Sequence, residues 1–65
     1  MRRPRFEIQE GVSAVSGGAR FWWRLVGGNG EIMATSEQYT SHADAIRGAK
    51  AARRAARTAK LEVEG

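Results

Sequence analysis

Sixty-five residues with no cysteine make at most one domain, and that domain has no disulfide to brace it and no Cys-based metal site. A chain this short buries only about 60% of its unfolded surface and is marginal as a monomer, so size alone predicts a homo-oligomer. The formal net charge is +4 and the sequence pI is about 10.7, which turns attention to polyanionic partners.

The opening MRRPRF is basic but has no apolar stretch or small-residue cleavage site behind it, so it does not read as a signal peptide. No apolar run approaches the roughly 18–20 residues of a membrane span. Together with the absence of cysteine this sets the expectation of a cytoplasmic protein with no membrane partner.

Arg5–Glu10 alternates apolar and polar side chains and predicts a first strand, with Phe6 and Ile8 on one face and Glu7 and Gln9 on the other. Pro4 stands just before it, where its missing N–H harms no ladder. Gly11–Arg20 is rich in Gly, Ser and Ala and reads as a long hairpin loop.

The second strand is expected at 21–27. Phe21, Trp23 and Leu25 share one face; Trp22, Arg24 and Val26 share the other. Asn29-Gly30 suits a type I′ turn, although the neighbouring Gly27 and Gly28 leave its register open by one residue. The third strand returns over 32–37.

Ser41 is placed to cap a helix, with Asp44 three residues on, at the acidic position of a capping box and near the positive end of the helix dipole. The helix is expected from 42 to 59 and is alanine-rich, which favours it intrinsically. Ala45, Ala49, Ala52 and Ala56 fall on one face, bordered by Gly48, so the buried stripe is thin and permits close approach. Each methyl stabilises by only about 0.8 kcal/mol when buried. Leu61-Glu62-Val63-Glu64 alternates again and predicts a short terminal strand, which needs a sheet edge to pair with. The fold class is therefore α+β, in the order β-β-β-α-β, with an antiparallel sheet and one helix packed on it.

These residues carry a resemblance. Phe6-Glu7-Ile8, Phe21-x-Trp23-x-Leu25, Asn29-Gly30-Glu31, Ser36-Glu37-x-Tyr39-Thr40-Ser41, Ala43 and Gly48 together look like the YegP-like family of short bacterial domains of unknown function. The likeness covers most of residues 1–65. It implies a repeat of three strands, a helix and a last strand, two copies of which form one continuous sheet and exchange their last strands. One copy per chain then implies a strand-swapped homodimer. The chain departs from the family pattern in a longer Gly11–Arg20 loop, in Trp22 where a basic or polar residue is usual, and in Ala49 and Ala52 where larger aliphatics are usual.

Little of the sequence points to catalysis, and neither an enzyme nor a cofactor is expected. His42 is the sole histidine and lies two residues from Asp44, so the two diverge on a helix and form no local base and orienting pair. Ser41 is better placed as a cap than as a nucleophile. No spacing suggests a metal site. Gly27-Gly28-Asn29-Gly30 lacks the Gly-Lys-Ser/Thr and the following helix of a phosphate loop.

Binding has two candidate surfaces. Between Ala45 and Lys60 there are Arg47, Lys50, Arg53, Arg54, Arg57 and Lys60, and no acid. This stripe is either a nucleic-acid face or simply a solvated basic helix. Trp22 and Arg24, on the outward sheet face, pair an aromatic ring with a cation as base-stacking platforms do; the alternative for Trp22 is burial under the loop or in the dimer. The best functional expectation is sequence-nonspecific nucleic-acid binding through the basic helix. The alternative is a protein-interaction module using the sheet face or the 11–20 loop.

Overall fold

A computed structural model describes residues 2–64. Three strands, β1 (Arg5–Val12), β2 (Ala19–Val26) and β3 (Ile32–Thr35), form an antiparallel sheet in the order β1-β2-β3, and one helix, α1 (His42–Ala56), packs on it. Pairing of Phe6 with Leu25, Ile8 with Trp23 and Glu10 with Phe21 puts the apolar positions of β1 and β2 on the helix side, as their period of two requires. Phe6 and Trp23 meet edge to face at 5.3 Å. Glu7, Gln9, Trp22 and Arg24 occupy the opposite face, over which no element packs among the described residues.

The β1–β2 hairpin is tighter than the expected 11–20 loop, because both strands continue into it. The Ser13 N–H donates to Gly18 O and the Gly17 N–H to Ser13 O, each at 2.8 Å, and Gly17 supplies the positive φ of 73° that closes the loop. Ser13 Oγ accepts from the Val15 and Ser16 N–H groups. Gly11 is held within the strand by the Trp22 ring, whose edge lies about 3.1 Å from where a Gly11 Cβ would stand. The ring covers a strand position that has no side chain to pack.

The second turn is not the expected type I′. Asn29 has no positive φ, whereas Gly30 sits at 87°. Gly30 N–H donates to Gly27 O, Gly27 N–H donates to Glu31 O, and Asn29 Oδ1 accepts from the Glu31 N–H. This is a three-residue connection closed by a left-handed glycine, so the additional glycine converts a tight turn into a longer one. A bulge between Leu25 and Val26 follows from the same irregularity.

β3 ends at Thr35, not at residue 37, because the Ser36 hydroxyl takes the Trp23 N–H at 3.0 Å in place of a ladder carbonyl. Pairing resumes once, between Phe21 and Tyr39.

Ser41 caps α1 as expected. Its φ and ψ of −132° and 147° are extended, and its Oγ accepts the Asp44 N–H at 3.0 Å. Ala45 and Ala49 are buried against the sheet. Gly48 brings the helix close: a Cβ there would fall on the Tyr39 hydroxyl, 2.8 Å from Tyr39 Cζ and 3.2 Å from Trp23 Nε1. α1 stops at Ala56, three residues short of the expected end. Arg57 and Thr58 bond back to Arg54 and Ala55, the i to i−3 pattern that tightens a last turn.

The predicted fourth strand is absent from this single chain. Residues 61–64 have no regular structure, and Leu61 and Val63 are 91% and 83% exposed. A strand needs a hydrogen-bonding edge, and nothing in the chain brings one to this segment. The consequence is visible in the dimensions. The radius of gyration is 13.7 Å, against about 11 Å for a compact chain of this length. The accessible surface is 5372 Å², roughly 1,300 Å² more than a folded monomer of 7.1 kDa exposes. The core matches this deficit: its buried apolar residues are Val26, Ala45 and Ala49, and none of the large side chains is fully buried among the described residues.

Candidate nucleic-acid interface

α1 carries its basic residues on its outward side and along the flank beside β1. Arg47 and Arg54 are seven residues apart, two turns of helix, and so share the outward side opposite Ala45. Lys50 and Arg53 lean toward β1, where their side chains line an open groove with Phe6, Ile8, Ile46 and Ala49. Arg57 follows at the helix end and Lys60 lies beyond it. The expected stripe is therefore present, but its members are not equivalent.

Arg47 donates to the Asp44 carboxylate one turn earlier. The Arg47 guanidinium, and then the Ser41 hydroxyl, hold Asp44 below its usual carboxylate range. Arg47 thus has a local structural partner near the helix start. Lys50, Arg53, Arg54, Arg57 and Lys60 make no ion pair among the described residues. Arg53 and Arg54 lie in the last turn, where cations also offset the negative end of the helix dipole. Part of the stripe thus has a structural reason to exist, independent of any ligand.

The second candidate surface is already engaged. Arg24 Nε donates to Glu7 Oε1 at 2.9 Å, Arg5 Nε donates to Glu7 Oε2 at 2.8 Å, and Gln9 Nε2 reaches Glu7 Oε1 at 3.3 Å. Trp22, half-buried, spends one edge of its ring on Gly11. Arg5 joins this cluster beyond the residues that the sequence pattern marks as a surface. Its signal was there in the Arg5, Glu7 alternation, which places both on one strand face.

Glu7 also gives a pH dependence. The Arg24 guanidinium, and then that of Arg5, lowers its pKa below the carboxylate value of 4.5. A carboxyl whose folded pKa is depressed contributes stability above its unfolded pKa and loses it as the pH falls through the folded one. Thermal unfolding followed by circular dichroism should show midpoints that fall below about pH 4.5, and Glu7→Gln should flatten that part of the profile. An unchanged slope in Glu7→Gln would remove Glu7 from the acid response.

The family model described as a domain of unknown function, DUF1508, matches residues 17–62. The chain belongs to the DUF1508 family. The match to this DUF1508 domain spans β2, β3 and α1, takes in Trp23, Tyr39 and Gly48, and reaches Leu61 and Glu62. It begins after β1, and so leaves Arg5 and Glu7 outside the matched region. No curated protein and no solved structure matches the chain. Among the described residues, no helix is long and apolar enough to cross a membrane.

Proposed function

We propose that this DUF1508 domain is a non-enzymatic homodimer that binds nucleic acid without sequence preference, through the basic side of α1. The observation that carries the reading is the run Lys50, Arg53, Arg54, Arg57 and Lys60, which lies in and just after one helix and makes no ion pair among the described residues. Cations so arranged meet phosphates rather than base edges, which yields affinity with little specificity. A second copy doubles the stripe and its field.

The dimer is proposed as strand-swapped, with each Leu61–Glu64 segment completing the partner's sheet. The excess surface of about 1,300 Å² supports it, since each partner of a standard interface buries about 800 Å². The thin core and the exposed Leu61 and Val63 support it too.

Mobility shift with short DNA and RNA at low salt is the direct test. If roughly four phosphates are neutralised, log K against log salt should slope by about −3 to −4. Arg54→Glu with Arg57→Glu, both exposed positions, should weaken binding at least about tenfold while leaving the fold intact. No shift at high-micromolar protein would overturn this reading. The protein-interaction alternative has one observation in its favour, the uncovered sheet face bearing Trp22. In that case Trp22→Ala, rather than the arginine reversals, would abolish activity.

A further inference from the structure

The sheet face turned away from α1 holds an aromatic ring that its neighbours use only in part. Arg20, Trp22 and Arg24 alternate along β2 and share this face, with Gly11, Gln9 and Glu7 opposite them on β1. Trp22 leans across to β1: Cη2 and Cζ3 of its indole lie 3.1 and 3.2 Å from where a Gly11 Cβ would stand. A side chain at position 11 would crowd that space, so the glycine lets the ring lean over the strand. The ring is half-buried, and no element packs above it among the described residues. One broad side of the indole is thus left toward solvent.

The two arginines that flank the ring are not alike. Arg24 shares the Glu7 carboxylate with Arg5. Arg20 has no carboxylate partner among the described residues; its guanidinium donates to neutral oxygens, Ala19 O at 3.0 Å and Ser16 Oγ at 3.2 Å. Arg5, Arg20 and Arg24 against Glu7 leave this part of the face net positive. Ring and unpaired cation stand two residues apart on one strand, about 7 Å between Cα atoms. A π surface with an anion site beside it matches the two parts of a single nucleotide. We propose that this face is a stacking site for an unpaired base of single-stranded nucleic acid, with the base on Trp22 and its phosphate on Arg20. This rests on the nucleic-acid reading above and deepens it by naming the single strand as the substrate class. A duplex keeps its bases in its own stack and offers this ring none, whereas its phosphates still suit the basic side of α1. The site lies within one chain, on the face opposite α1, so it exists whether the chain is single or paired.

The test uses the full chain and compares a short oligothymidylate, an abasic oligomer of the same length and a duplex. Affinity is read from fluorescence anisotropy of the labelled probe, and stacking from quenching of the intrinsic tryptophan emission. The oligothymidylate should bind about tenfold more tightly than the abasic oligomer, the effect of one base stacked on an aromatic ring. Trp22→Ala should erase that difference and leave duplex binding unchanged. Circular dichroism checks its fold. Trp22→Phe, which keeps an aromatic cover over Gly11, supplies a second arm: affinity holds while the quenching disappears, because the remaining indole, Trp23, faces α1. Arg20→Gln should lower the salt slope for the oligothymidylate by about 0.7, the share of one phosphate on a single strand. Equal affinity of the wild type for the oligothymidylate and the abasic oligomer overturns the stacking site, and duplex binding then leaves the helix reading standing. A preference for bases that survives Trp22→Ala also overturns it. No binding of any probe at high-micromolar protein overturns both readings.

Discussion

If the proposed strand-swapped dimer holds, Leu61→Asp with Val63→Asp should convert it to a monomer across the micromolar range. Burying an aliphatic side chain of this size stabilises by about 1.5–3 kcal/mol, so two of them are worth roughly 3 kcal/mol or more in the dimer, about two orders of magnitude in dissociation constant. Both residues are almost fully exposed in the single chain, so the substitutions remove nothing from its own core. That separation makes the experiment informative: a molar mass that halves while the helical circular dichroism persists attributes assembly to the terminal segment. An unchanged dimer mass would place the interface elsewhere, for example along the outer edge of β3, where Ile32 and Met33 are 58% and 64% exposed.

Gly48→Ala should destabilise the domain by up to about 2 kcal/mol, although alanine is the better helix former by about 1 kcal/mol. Overpacking a close contact costs about 1–3 kcal/mol, and here the new methyl falls on the Tyr39 hydroxyl and crowds Cζ at 2.8 Å. The Tyr39 ring has little room to yield. Its backbone is bonded in both directions to Phe21, at 2.7 and 2.9 Å, and Trp23 Nε1, buried with no partner among the described residues, also stands 3.2 Å from the added methyl. In so small a domain this loss would lower the thermal midpoint by several degrees. The double variant Gly48→Ala with Tyr39→Phe should recover part of it, because the clash lies at the hydroxyl. A stability equal to or above that of the wild type in Gly48→Ala alone would show that the helix can lift off the sheet at no cost.

Both predictions concern parts of the molecule that differ in how well the sequence announces them. The strand faces of β1 and β2 are legible because alternation is a local property: Phe6, Ile8, Phe21, Trp23 and Leu25 line up on the helix side with no tertiary information. The Ser41 cap and the helix start are legible for the same reason, since the hydroxyl and the Asp44 N–H are three residues apart. The basic stripe could be read as a stripe, because helical periodicity decides which residues share a side.

The structure departs from the local pattern mainly where a partner distant in sequence intervenes. β3 stops early because Ser36 reaches across to Trp23, thirteen residues away. The 11–20 loop shortens because Trp22 shields Gly11 and lets the strand run through it. Arg24 has the Glu7 carboxylate beside it across the strands, seventeen residues away, whereas the partner of Arg47, Asp44, lies one helical turn back and follows from i,i+3 spacing alone. Pairing of charges is a matter of distance in space, which composition does not contain.

The sequence by itself determined the α+β class, the order of the first four elements, which faces of β1, β2 and α1 are apolar, and where the cations gather. Those follow from periodicities of 2 and 3.6 residues and from capping chemistry, all of them local. Only the tertiary structure decided how closely α1 approaches through Gly48, that Glu7 neutralises Arg24 across the strands, and that a single chain leaves Leu61–Glu64 unpaired and β1 with an open edge. Each of these depends on which groups meet through space, and hydrogen bonds, ion pairs and close packing are settled there.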